Sequence, residues 1–269
     1  MRYTLNIKGQ LMNLENQRVM GILNVTPDSF FVASRVQTER DILARAKEII
    51  AQGSDIIDVG ACSTRPGSEP VSEEEEWQRL DTALGVIRSE YPEAVVSIDT
   101  FRAEIAHRCI DAYGVDMIND VSEGSDKAMF AVVAKAGVPY VLTSNQRNLH
   151  DTLMAFSAKV QQLRDLGQKD IVLDPGIGFG KSIDENFAML AELDKLLCME
   201  LPLLVGVSRK SMVYRTLSIS PDEAQNGTTM LNTVALEKGA SILRVHDVKE
   251  AKEIIELKKR LETCHSRLE

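Results

Sequence analysis

Leu203-Leu204-Val205-Gly206-Val207-Ser208-Arg209-Lys210-Ser211 shows the layout that the rest of the chain repeats. A short apolar run, suited to a strand buried on both faces, stops on Gly206 and then delivers two cations flanked by two hydroxyls. Alone, such a turn is as readily a solvated basic loop as a ligand site. Repetition is what separates the two. In both directions from this stretch, a short apolar strand is followed by an amphipathic helix, again and again. The pattern predicts strands at 19–24, 56–60, 95–99, 117–119, 140–142, 171–174, 203–206 and 241–245. Between them it predicts helices at 38–52, 72–90, 102–113, 126–136, 149–166, 184–197, 209–236 (broken near Pro221) and 247–262. Ser72 with Glu75 reads as a capping box, and Asp99-Thr100 and Ser182 as similar helix starts. Gly137 and Gly239 read as helix stops.

Eight strand–helix units in about 260 residues is the arithmetic of a (β/α)8 TIM barrel. An open doubly wound sheet also alternates strand and helix, but it has fewer units, and no G-x-G-x-x-G follows an early strand here. Residues 3–7 and 11–14, about a turn at Lys8-Gly9-Gln10, predict an N-terminal β-hairpin that caps the domain. The expected organisation is a single α/β domain over 1–269, with 1–18 as the hairpin. The Glu73–Glu76 run reads as a solvated first helical turn, where acids suit the positive end of the helix dipole.

With 269 residues, 44% hydrophobic and 26% charged, the chain is long enough for one sizeable core. A net charge of -9 makes nucleic acid and anionic membranes poor partners, although a few converging cations could still hold a phosphorylated substrate. No apolar run nears the ~20 residues of a membrane span, and the start of the chain lacks a signal-peptide core. The four cysteines, Cys62, Cys109, Cys198 and Cys264, are scattered without metal-ligand spacing. Free thiols in the cytoplasm are the expectation.

In such a barrel the chemistry lies at the C-terminal ends of the strands. The first strand ends on Asn24, and the second delivers Asp58 and then Cys62-Ser63-Thr64-Arg65. The third ends on Asp99, the fourth on Asn119-Asp120 and the sixth on Asp174. The seventh gives Ser208-Arg209-Lys210-Ser211 and the eighth Arg244-Val245-His246-Asp247. The fifth is the exception, running Leu142-Thr143-Ser144-Asn145. One carboxylate at a strand end is more often a helix cap; seven polar ends of eight point to a site. Asp99, Asn119, Asp174 and Lys210 suit hydrogen bonding to a nitrogen-rich heterocycle. Arg65, Arg244 and His246, with Asn24, suit a phosphate or diphosphate subsite, because the first and eighth strands meet on closure. Asn24 is also a sensible oxygen ligand for Mg2+.

GILNVTPDSF (21–30), STRPG (63–67), SIDT (97–100), IND (118–120), LDPGIGFGK (173–181), VGVSRKS (205–211) and RVHDV (244–248) together resemble the motifs of dihydropteroate synthase, in that family's order. The resemblance covers nearly the whole chain and implies a (β/α)8 barrel. It also implies a transferase that condenses 6-hydroxymethyl-7,8-dihydropterin diphosphate with 4-aminobenzoate. By the same resemblance Asp99, Asn119, Asp174 and Lys210 hold the pterin, with Asp99, Asp174 and Lys210 as the catalytic set. Asn24 binds Mg2+, Arg244 and His246 meet the diphosphate, and Thr64, Arg65 and Ser211 serve the aminobenzoate. A homodimer is expected for such a barrel.

The chain departs from the family pattern in three places. Leu142-Thr143-Ser144-Asn145-Gln146 stands where a His-Met-x-Gly segment is usual, and Ser29-Phe30-Phe31-Val32-Ala33-Ser34 replaces a glycine-bearing loop. Ala61-Cys62 replaces a common Gly-Glu pair. A non-catalytic or weakly active pterin-binding paralogue is therefore the alternative to an active synthase. A corrinoid methyltransferase domain is a further reading, but it leaves the cations at Ser208–Lys210 and Arg244–His246 without a purpose.

Overall fold

The computed structural model describes residues 3–25, 38–62 and 71–265. It begins with an antiparallel hairpin, β1 (Thr4–Ile7) and β2 (Gln10–Asn13). Lys8 and Gly9 make its turn with φ of 51° and 80°, the paired positive angles whose twist matches that of the strands. Gln10 is paired with Ile7, so the turn is one residue shorter than the sequence suggested.

Eight parallel strands then close into a barrel: β3 (Arg18–Asn24), β4 (Ile56–Gly60), β5 (Val96–Asp99), β6 (Met117–Asp120), β7 (Tyr140–Thr143), β8 (Ile171–Asp174), β9 (Leu203–Val205) and β10 (Ala240–Val245). Each is hydrogen-bonded to the next in chain order, and β10 to β3. The outer helices are α1 (Glu39–Ala51), α2 (Glu73–Glu90), α3 (Ala103–Tyr113), α4 (Met129–Ala136), α5 (Leu149–Asp165), α6 (Ile183–Ala191), α7 (Ser211–Leu217), α8 (Gln225–Glu237) and α9 (Val248–His265). This is the (β/α)8 barrel that the strand count predicts.

Alternation along the strands positions the site. Val19, Leu23, Ile57, Val59, Val96, Ile98, Tyr140, Leu142, Leu173, Val205 and Leu243 face the helices and form the main core with them. The residues between point inward. At the lower end Met20, Ile56, Met117, Val141, Val172, Leu204 and Ile242 fill the barrel, and Leu5, Ile7 and Leu14 of the hairpin segment plug it. Burying such a side chain contributes roughly 1.5–3 kcal/mol, so the plug is a real part of the fold's stability. Two residues further up β4, β6, β7, β8 and β10 the inward positions become Asp58, Asn119, Thr143, Asp174 and Arg244. One parity thus changes from apolar to polar as it nears the mouth.

Local details correct several expectations. The break expected near Pro221 is present: 209–236 holds two helices, with Ser218 at φ 56° and Pro221 between them. Residues 193–199 form a 3-10 turn rather than the end of α6. The reciprocal capping box is at Ser182–Glu185, whereas Ser72 only accepts from the Glu75 amide. Thr100 does not cap α3 at its first residue; its hydroxyl donates to Glu76 at 2.7 Å. Glu76 is no solvated helix-turn acid, since it is fully buried and also bonds Arg102. The helix periodicity shows why: Glu76 lies one turn before Leu80 on the buried face of α2.

Candidate active site at the barrel mouth

Asp58, fully buried on β4, is the hub of the mouth. Its Oδ2 accepts from Arg244 Nε at 2.6 Å and from Asn119 Nδ2 at 3.1 Å. Arg244 also donates to Asp99 Oδ2 at 2.6 Å, so one guanidinium bridges two carboxylates across the barrel. Burial disfavours its charge, but Asp58 and Asp99 outweigh that and hold Arg244 protonated well above its ordinary range. Burial pushes Asp99 up to about 7, with Arg244 pulling down and Asp58 and Glu76 pushing further up. Asp58 Oδ1 and Asn119 Oδ1 are buried without a hydrogen-bond partner among the described residues. Buried acceptors are normally satisfied, so these two are open to a donor-bearing ligand.

Asp174 and Lys210 make the second half. Burial raises the Asp174 carboxyl, opposed mainly by Lys210, and its Oδ1 accepts from the Gly176 amide at 2.8 Å. Burial lowers Lys210 to about 8 against the pull of Asp174. The ammonium donates to the Ile177 carbonyl and lies 4.6 Å from the Phe179 ring centre. Gly178 permits this approach, because a Cβ there would sit 2.6 Å from Lys210 Cδ. Lys181, lowered to about 8 by burial, donates to the carbonyls of Gly176 at 3.0 Å and Ser144 at 3.3 Å, tying the β8 loop to the end of β7. Gly176 has φ +69°, and a Cβ on it would stand 1.8 Å from the Ser144 carbonyl oxygen. Gly176→Ala is therefore expected to cost at least about 2 kcal/mol, read from the denaturant midpoint, since left-handed strain alone is about 1–2 kcal/mol.

The turn after β9 splits its cations. Arg209, at φ 52°, turns away and pairs Asp247 through Nε at 3.0 Å and NH2 at 2.7 Å, and it donates to the Pro221 carbonyl at 3.0 Å. It is an anchor for the α7–α8 connection rather than the substrate cation the sequence suggested. Only Lys210 enters the mouth. Ser208 Oγ lies 2.9 Å from His246 Nδ1, and Arg45 donates to the His246 carbonyl at 2.8 Å, which fixes the loop after β10. Asn24 ends β3 beside the mouth, its Oδ1 3.3 Å from where a Cβ on Gly60 would stand, with Asp99 Oδ2 3.7 Å from that same point. Ser211 begins α7 and is half-buried. Thr64 and Arg65 lie outside the described residues.

The structure thus brings Asp99, Asn119, Asp174, Lys210 and Arg244 together, with Asn24 and His246 at the rim. It does not separate a heterocycle set from an anion set as the sequence implied, because Arg244 sits among the carboxylates. Asp58 was not among the expected site residues, although strand alternation marks it as an inward acid. Its role shows only when Arg244, 186 residues away in sequence, folds over it.

A model of the family described as pterin binding enzyme matches residues 20–246. The chain belongs to this family. The dihydropteroate synthase of Bacillus subtilis is 39% identical over 245 residues, 88% of this chain and 85% of that protein. The crystal structure of Yersinia pestis dihydropteroate synthase with a sulfonamide drug complex gives a TM-score of 0.91 at 32% identity, covering 97% of this chain and 100% of the other. That of Xanthomonas albilineans dihydropteroate synthase with 4-aminobenzoic acid gives 0.89 at 30%, covering 97% and 99%. Within the pterin binding enzymes, the chain's place is with the dihydropteroate synthases.

Proposed function

We propose that this chain condenses 6-hydroxymethyl-7,8-dihydropterin diphosphate with 4-aminobenzoate to give dihydropteroate and diphosphate. The observation that carries this reading is the inward ring of Asp58, Asp99, Asn119, Asp174, Lys210 and Arg244, with acceptors left over for a ligand rich in N–H groups. Asp99, Asn119 and Asp174 hold the ring nitrogens, and Lys210 donates to ring acceptors. Arg244 and His246 meet the diphosphate, while Thr64, Arg65 and Ser211 serve the aminobenzoate. The amine nitrogen attacks the exocyclic methylene carbon as the carbon–oxygen bond to diphosphate breaks. The bonding pair leaves with diphosphate, and the new secondary amine gives up one proton. No nucleophile of the protein is needed; orientation and electrostatics supply the rate.

Mg2+ suits this mouth. It binds through one or two protein groups plus substrate phosphates, and Asn24 offers an amide oxygen beside Asp99 at the rim. No cluster of three acidic, histidine or cysteine ligands occurs among the described residues. Asn24 would hold it, and the ion when bound would neutralise the departing diphosphate. We also place the protein in the cytoplasm, in keeping with its four free cysteines, and as a homodimer, to be checked by sedimentation. Among the described residues, no helix is long and apolar enough to cross a membrane.

The test is purified protein with Mg2+, the pterin diphosphate and 4-aminobenzoate, followed for diphosphate release. Pterin binding without product would favour the non-catalytic paralogue, a reading kept alive by the altered segment after β7. The pH dependence follows from the site. Asp99 is raised to about 7 and accepts ring N–H groups more strongly when ionised, so pterin affinity should rise through about pH 7. Lys210 and Lys181 lose their protons near 8, so affinity should fall again above that. The groups are coupled, and the two limbs belong to the set rather than to single residues. Titration calorimetry from pH 6 to 9 should give a maximum near pH 7.5, and a flat profile would contradict the assignment.

A further inference from the structure

Thr143 ends β7, is wholly buried, and has an Oγ1 without a hydrogen-bond partner among the described residues. It shares the inward parity of Val141, which lies in the cluster filling the lower barrel. In register it is paired with Asp174 on β8, while Asn119 on β6 is paired with Val141, one inward position below. The hydroxyl therefore stands between two of the groups that define the ligand-facing wall. A buried hydroxyl without a partner is unfavourable, and valine would fill the same space without that cost. Something that enters the barrel must meet it. Its neighbours narrow the choice: Asp58 Oδ1 and Asn119 Oδ1 are also unpartnered, and Asp174 is a further acceptor, so the edge they face must be rich in donors.

Building on the functional reading above, we propose that Thr143 is a specificity-determining residue for the heterocycle. Its Oγ1 accepts a hydrogen bond from the exocyclic amino group of the pterin, beside Asn119 and Asp174. The residue falls in the stretch Leu142–Gln146, at the end of β7, where the chain departs from the family's pattern, so that departure becomes part of substrate recognition. With its proton turned to the Asp174 carboxylate, its register partner on β8, Oγ1 presents only lone pairs to the ligand, so this wall discriminates against an oxo group at the same place.

The test uses full-length wild type, Thr143→Val and Thr143→Ser, with 6-hydroxymethylpterin and its 2-oxo analogue 6-hydroxymethyllumazine as titrants. Thr143→Val is expected to weaken pterin binding about tenfold while leaving lumazine affinity unchanged, and Thr143→Ser should restore the preference. The ligand-free melting temperature of Thr143→Val should be at or above that of wild type, since the variant removes an unpaired hydroxyl. Equal pterin affinity in wild type and Thr143→Val, or equal weakening of both titrants, would overturn the assignment of Thr143 and leave the functional reading standing. Wild type that binds neither titrant would instead remove the functional reading itself, and this inference with it.

Discussion

Arg244→Met is expected to lower folding stability by about 3–5 kcal/mol and turnover by roughly 10²- to 10³-fold. The guanidinium bridges Asp58 and Asp99 at 2.6 Å each, and Asp58 is fully buried. Methionine keeps the volume but leaves two carboxylates facing each other in a low-dielectric barrel. Removing one member of a buried ion network costs more than the network contributes net, because the remaining charges lose their compensation. The pH dependence gives an independent check. Asp99 already sits near 7 with its partner present, so without Arg244 its folded-state pKa should rise further. A raised carboxyl pKa means that the folded state binds the proton more tightly than the unfolded one. The destabilisation should therefore be smaller at pH 6 and largest at pH 8, lost stability growing as pH climbs from the unfolded value toward the folded one. Denaturant titrations at both pH values measure this. An Arg244→Met variant as stable as wild type at pH 8 would mean that the bridge does not form in solution.

Lys210→Met should have the opposite profile. Pterin affinity is expected to fall about a hundredfold, the ~2.7 kcal/mol that a charged hydrogen bond can carry, with no loss of thermal stability. Lys210 is held near 8 by burial, below its ordinary value, so the folded state disfavours its proton relative to the unfolded chain. That cost is fully present at pH 7 and fades as pH rises from about 8 toward the unfolded value. Removing the charge relieves it, which offsets the lost attraction to Asp174. The pair of variants thus separates a residue that holds the mouth together from one kept there for the ligand. Melting temperature and pterin titration on the same samples decide it; a Lys210→Met variant that melts well below wild type but still binds pterin would reverse the two roles.

Much of the candidate site was legible because β-structure is periodic. Asp99, Asn119, Asp174 and Arg244 lie at strand ends, and a barrel sends every strand end to one mouth. Asp58 lay within a strand otherwise filled by apolar residues and glycine, so only its inward parity marked it. Glu76 and Arg209 were misread for a different reason. A run of four acids looks solvated, and two adjacent cations look like a pair, until packing assigns each side chain its own direction.

The sequence by itself determined the barrel and which residues could reach its mouth, since these follow from local alternation and helix–strand rhythm; that the hairpin segment plugs the lower end shows only in the packing. Tertiary structure alone decided which charges meet. Asp58 and Arg244 are neighbours only because β10 closes onto β3 and β3 pairs β4. Arg209 and Lys210 part because a left-handed backbone at Arg209 sends one cation to Asp247 and the other to Asp174. The turn Ser208-Arg209-Lys210-Ser211 is therefore half anchor and half site, because electrostatic partnership depends on distance across the closed barrel, and spacing along the chain does not encode that distance.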